Sequence, residues 1–261
     1  MKKVFKFGIV FILAITILVL IGVIVKNIEV KENQGNMSET ASEEKLNPQY
    51  NVSTYVTEEI KNKAEYSGGI LCLEYEYTPK KMYELSTDIA IVKVISLDYM
   101  DPTGFLGKTF GKILINSSLS GNLKQGEVIT YVEPGGYANM EEWDKLQPEA
   151  AREKRRYLRE QAGLSTDYSN EWMYITADID VEIEAGKTYL AYLAYNEKLE
   201  CYEIIGLENG LREVNIPQEK ESVSVTELNF EELKIKNNVT EEYENLNEYI
   251  VNNINNLMKN N

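Results

Sequence analysis

Nineteen consecutive uncharged residues, Phe7 to Val25, constrain this chain of 261 residues more than any other feature. At about 1.5 Å per residue, a helix of that length spans about 30 Å, the hydrocarbon core of a bilayer. Lys2, Lys3 and Lys6 precede the run, whereas only Lys26 and Lys31 follow it at wider spacing. That asymmetry places the N-terminus in the cytoplasm and the rest outside. A cleaved secretory signal is the competing reading. Against it stand the length of the run and its ending Leu20-Ile21-Gly22-Val23-Ile24-Val25, which has no Ala-x-Ala site. The first cysteine, Cys72, lies far beyond any lipobox, which excludes a lipoprotein.

Behind the run the chain is acidic. Residues 1–26 hold four lysines and no acid, leaving 23 basic against 42 acidic groups, a formal −19. Such a domain repels nucleic acid, and no nucleic-acid partner is expected. There is no histidine, which removes Ser-His-Asp and Cys-His nucleophile systems, His-liganded zinc and imidazole proton transfer. Two cysteines exclude four-thiolate zinc and iron–sulfur sites. No cofactor is expected. Carboxylate pairs, a Ser–Lys dyad or a hard metal on oxygens remain, and no segment resembles a Ser–Lys hydrolase motif.

The organisation follows from composition and period. Residues 1–26 form the cytoplasmic stub and anchor, 27–48 a polar tether, 49–226 a β-rich domain with a helical insertion near 147–163, and 227–261 a C-terminal segment. A short helix is expected over Thr57–Ala64, and Gly68-Gly69 is expected to break the chain before a half-buried strand, Ile70–Tyr77. Thr78-Pro79 reads as a helix start. Strands are expected at Ile89–Leu97, Thr109–Asn116, Glu127–Val132, Trp172–Ile183, Thr188–Tyr195 and Leu199–Ile205, the last three as hairpin neighbours. Tyr243, Leu246, Ile250, Ile254 and Leu257 form one apolar helical stripe. The fold class is α+β, mainly β: a small antiparallel barrel or curved sheet with helical decoration.

The segments "DIAIVKVISL", "TFGKILINSSLSGNLKQGEVITYVEPGG", "IEAGKTYLAYL" and "YEIIGLENG" resemble an uncharacterised envelope domain of Gram-positive membrane-anchored proteins and lipoproteins. The matching positions are Asp88, then Leu119 and Gly121, then Gly186, Tyr189 and Leu190. The strand sequence is also distantly similar to the OB-like barrel of the netrin and metalloproteinase-inhibitor module. That resemblance implies a barrel and no activity, because those inhibitors place an N-terminal cysteine on zinc and this chain has none there.

Four constellations stand out. Asp178, Asp180, Glu182 and Glu184 line one strand face, where carboxylates in a row do not converge on calcium. Arg152, Arg155, Arg156 and Arg159 share a helix face beside Lys154, with intrahelical pairs expected for Glu149–Arg152, Glu153–Arg156 and Arg156–Glu160. Tyr189 and Tyr195 on one face of their strand, with Tyr192 on the other, are expected to be buried. Cys72 and Cys201 are the only candidates for a disulfide. The expected function is a non-catalytic envelope module binding an unknown envelope protein or polymer, and held to the membrane by its N-terminal helix. The alternative is an envelope hydrolase using paired carboxylates. A cleft holding an acid of raised pKa favours the enzyme; a flat apolar or aromatic patch favours the binder.

Overall fold

The computed structural model describes residues 50–69, 76–104, 106–177, 181–217 and 229–260. The expected anchor, the tether, Cys72, Asp178, Asp180 and nearly all of the strand expected over Ile70–Tyr77 lie outside these residues. Among the described residues no helix is long and apolar enough to cross a membrane.

The described chain is α+β, mainly β. In chain order the strands are β1 (Ser53–Thr54), β2 (Glu65–Gly69), β3 (Asp88–Asp101), β4 (Lys108–Ser120), β5 (Val128–Pro134), β6 (Gly136–Asn139), β7 (Trp172–Ala177), β8 (Thr188–Asn196), β9 (Cys201–Ile204), β10 (Leu211–Asn215), β11 (Lys234–Lys236) and β12 (Tyr243–Asn245). Nine form a mixed sheet in the order β1-β3-β4-β5-β9-β8-β10-β11-β12, and β2-β7-β6 form a second sheet. Because β3 also pairs with β8, the pairings run β3-β4-β5-β9-β8 and back to β3. In that circuit only β5–β9 is parallel.

Two long apolar runs among the described residues, β3 and β8, sit where this circuit needs them. Along β3, Ala90, Val92 and Val94 enter one core while Ile89 and Ile91 enter another. On β8, Tyr189, Ala191 and Leu193 join the first, and Leu190 and Tyr192 the second. A strand packed on both faces has no wet side, which is why these sequences do not alternate in polarity. A smaller third core gathers Met100, Ala138, Met173 and Ile175.

Local chemistry sets the helices. Thr57 caps α1 (Glu58–Lys63) by accepting the Ile60 N–H, and Thr78 caps α2 (Pro79–Leu85) by accepting that of Lys81. Asn139 caps α3 (Met140–Lys145), which leads through Pro148 into α4 (Glu149–Gln161). One turn, α5 (Leu207–Gly210), precedes β10. After β12, α6 (Leu246–Ile250) runs into a π-helical stretch, Val251–Asn255, and then α7 (Asn256–Asn260).

Several expectations are corrected. Gly68-Gly69 does not break the chain but ends β2, which pairs in parallel with β7. Of the strand expected over Trp172–Ile183, Trp172–Ala177 forms β7, which pairs with β6 and β2 rather than with β8, and residues 181–183 are not strand. The turn Glu184-Ala185-Gly186-Lys187 predicts a hairpin into β8; the partner of β7 is instead β6, which starts at Gly136 directly after β5. Tyr195 is 46% exposed, because β8 runs past the cores there; its ring packs edge-on against Tyr202 at 5.2 Å. In the C-terminal stripe Leu246, Ile250 and Ile254 are buried, whereas Tyr243 belongs to β12 and is exposed. The apolar stripe begins at Leu246 because Asn245 caps the helix there.

Candidate functional site

A cleft opens between α1, the end of β3, the start of β6 and the segment 181–185. One lobe, a cavity of about 130 Å³, is lined by Thr54, Glu58, Lys61, Tyr137, Glu182 and Glu184 among others. A neighbouring lobe, with room for about one water, shares Tyr137 and Glu182 and reaches Tyr55, Thr109, Glu133 and Tyr174. Two of the four ladder acids, Glu182 and Glu184, thus face this cleft instead of open water.

The mouth of the cleft is a chain of neutralised charges. Lys61 Nζ lies 3.1 Å from Glu182 Oε1 and 3.5 Å from Glu184 Oε2. Tyr137 Oη donates to Glu182 Oε1 at 3.0 Å. Lys187 Nζ bridges Glu184 at 2.6 Å and Glu213 at 3.2 Å. Burial alone would raise the Glu184 carboxyl, but Lys187 and then Lys61 outweigh it and hold the group below its ordinary range. Burial likewise works against the charge of Lys61, and its two glutamates reverse this and raise it. Burial, followed by the Glu182 carboxylate, pushes the Tyr137 hydroxyl far up.

The floor is drier. Glu133 is 4% exposed, and Tyr55 Oη donates to the Tyr137 carbonyl at 3.2 Å. Thr109 Oγ1 donates to the Gly135 carbonyl at 2.6 Å. That contact needs glycine alongside: at Gly136, with φ of +127°, a Cβ would stand 2.0 Å from Thr109 Oγ1. Tyr137 also ends a row of three tyrosines in register across the small sheet, Tyr66 beside Tyr174 beside Tyr137. Their ring centroids are 6.4 and 4.7 Å apart.

A general acid needs a carboxyl raised towards neutrality. Glu184 is shifted the other way. Burial does raise Glu208, but it sits on α5 and lines neither lobe.

The basic helix holds the larger surprise. Arg155 pairs with Asp144 and lies over the Trp143 ring at 4.6 Å. Arg159 forks onto Glu171, donates to the Ser165 carbonyl at 2.6 Å and lies 4.8 Å over the Tyr168 ring. These partners lie outside the helix; among the described residues none of the three intrahelical pairs expected for Arg152 and Arg156 forms. Arg156 stays exposed, whereas Arg155 and Arg159 dock α4 inward. Its opposite side turns outward, with Tyr157 60% and Leu158 54% exposed, and Leu146 and Leu164 exposed at its two ends. None of α4 is buried. An amphipathic helix normally does the reverse.

The remaining candidates carry less. Cys201 is buried at the start of β9, and its expected partner Cys72 is outside the described residues. Among the described residues no group of three or more His, Cys, Asp or Glu is placed to hold a metal ion. Comparison with protein-family models, with curated proteins and with solved structures yields no match.

Proposed function

We propose that the chain is a non-catalytic binding module of the cell envelope, anchored by Phe7–Val25 with its folded domain outside the cytoplasm. The observation that carries this reading is the inverted helix α4. Arg155 and Arg159 are spent on Asp144, Glu171 and two aromatic rings, and Tyr157 and Leu158 are presented to the outside. Clustered exposed apolar side chains of this kind mark interaction surfaces. The partner that fits is an envelope protein offering an apolar strip. The neutralised cleft acids favour recognition over turnover in the same way.

The scaffold suits that role. The circuit of pairings through β3, β4, β5, β9 and β8 supports reading the core as an OB-like barrel, a fold that hosts many unrelated binding functions. The test is incubation of residues 49–261 with purified peptidoglycan and labelled envelope peptides. Binding without consumption, weakened by Tyr157→Ser with Leu158→Ser, is expected. Release of soluble products that disappears in Glu182→Gln or Glu133→Gln would replace the module with a hydrolase.

A further inference from the structure

The outer face of β3, β4 and β5 carries a row of side chains that no core uses. Alternation on β4 turns Thr109, Gly111, Ile113 and Ile115 inward and leaves Lys108, Phe110, Lys112 and Leu114 outside. In register, Phe110 lies beside Tyr99, Lys112 beside Thr130, and Leu114 between Lys93 and Val128. Tyr99 is 54% exposed and stacks on Phe110, with centroids 4.9 Å apart and planes 10° from parallel. Lys108 and Lys112 bracket this stack, four residues or about 14 Å apart along the strand.

The charge on this face is unmatched. Among the described residues none of Lys93, Lys108 and Lys112 forms an ion pair. Lys93 and Lys112 are diagonal neighbours across β3 and β4, an arrangement of like charges that a sheet tolerates poorly without a counter-ion. Two acids stand near Lys108. Asp101, opposite it, accepts the Thr103 N–H, and Glu203, on β9, accepts the Asn196 side-chain amide at 2.8 Å.

We infer that this face binds an acidic polysaccharide. The exposed ring of Tyr99, backed by Phe110, takes the apolar face of a sugar ring, and the lysines on either side take carboxylates carried by the chain. A neutral glycan would leave the lysines unanswered, and a ring-free polyanion would leave Tyr99 and Phe110 unanswered. Only a ligand carrying both rings and charges uses the whole row. The inference stands apart from α4, whose exposed side chains belong to another part of the chain.

The test is calorimetric titration of residues 49–261, which contain all three cores, with polygalacturonate, a neutral glucan and inorganic polyphosphate at low salt. Polygalacturonate should bind, and its affinity should fall with salt. Lys108→Gln with Lys112→Gln should weaken it about tenfold and flatten the salt dependence. Tyr99→Ala should weaken it about tenfold, in line with losses from removing one stacking ring. Thermal midpoints close to the parent's would show that the variants fold, and Phe110→Leu offers a milder change to the same stack. No binding of polygalacturonate overturns the inference. Equal binding of polyphosphate that is insensitive to Tyr99→Ala overturns it too, as does equal binding of the neutral glucan that is insensitive to the lysine changes. Tyr157→Ser with Leu158→Ser should leave the titration unchanged, so this inference and the α4 reading fail separately.

Discussion

The buried carboxylate of Asp88 accepts the backbone N–H of Leu123 at 2.9 Å, and through the same Oδ1 that of Asn122 at 2.6 Å. This ties the start of β3 to the turn after β4. It also explains why an acidic residue and a Leu-x-Gly connection occur together in the sequence. Gly121 has φ of +98°, and a Cβ there would stand 2.2 Å from Asp88 Oδ1. Asp88→Ala should leave two amides without their acceptor and cost about 2–4 kcal/mol in urea unfolding. Gly121→Ala should cost about 1–3 kcal/mol from strain alone. A double-mutant cycle should give strong coupling, and additive losses would show that the turn is not held by this carboxylate.

The second half of the same sequence motif has an equally local cause. Tyr189 Oη accepts the Glu184 N–H at 3.0 Å, while the Gly186 N–H donates to the Val94 carbonyl at 2.7 Å in a turn with φ of +91°. Tyr189→Phe should cost about 0.5–1.5 kcal/mol, the loss of one hydrogen bond. The far-ultraviolet circular dichroism should not change.

How much of this was legible in the sequence depended on the range of the interaction. Caps at Thr57 and Thr78 and the apolar runs of β3 and β8 are local patterns, and they are found where the residues place them. The strand over Ile89–Leu97 continues to Asp101 because bulges near Ile95 and Asp98 let the ladder persist while the alternation breaks. A period-two reading stops at such a break. The cleft was not legible, since Lys61 and Glu182 are 121 positions apart and meet only when β7 leaves the large sheet. The inverted α4 was misread for the same reason. Spacing within the helix shows only intrahelical partners, and Asp144 and Glu171, which take Arg155 and Arg159, are not on the helix.

The cleft network should give a defined pH response. Glu184 is lowered from 4.5 in the fold, so its contribution is present above that value and lost as pH falls through the lower folded pKa. Lys61 and Lys187 are raised from 10.5, so theirs is complete below that value and lost as pH rises through the higher folded pKa. Lys187→Met should therefore destabilise the domain at neutral pH. The difference from the parent should shrink when acid protonates Glu184. A gap between the two urea midpoints that stays constant down to the acid limb would show that the pairs contribute nothing.

On α4 the two faces should separate stability from binding. Arg159→Ala removes the fork onto Glu171 and the cover on Tyr168, and should cost about 1.5–3 kcal/mol. Tyr157→Ser or Leu158→Ser should stay within about 0.5 kcal/mol of the parent, as changes at exposed positions do. Denaturant midpoints check both. A large loss from Leu158→Ser would mean that the outward face is packed against the protein itself.

The last expectation concerns the C-terminal segment, which the composition suggested as an appendage to the β-rich domain. Six of the twelve buried residues in the second core come from it: Leu233, Ile235, Leu246, Tyr249, Ile250 and Ile254. They close over Ile89, Ile91, Leu190 and Tyr192, the lower faces of β3 and β8. Tyr249 fastens the lid, with its hydroxyl 3.3 Å from that of Tyr192 and the Arg212 guanidinium 4.3 Å over its ring. Arg212 in turn donates to the Lys236 carbonyl at 2.8 Å and pairs with Glu244 at 2.5 Å, so β10, β11 and β12 share one cation. Leu246→Ala should cost about 2–5 kcal/mol, as deletion of a fully buried leucine side chain does. Tyr249→Phe should cost less, about 1–3 kcal/mol, for leaving the Tyr192 hydroxyl without its partner. Ending the chain at Pro217 should expose the undersides of β3 and β8 together, and the product should lose its cooperative thermal transition. A truncated chain that still melts sharply near the parent's midpoint would show that the first core stands without the second.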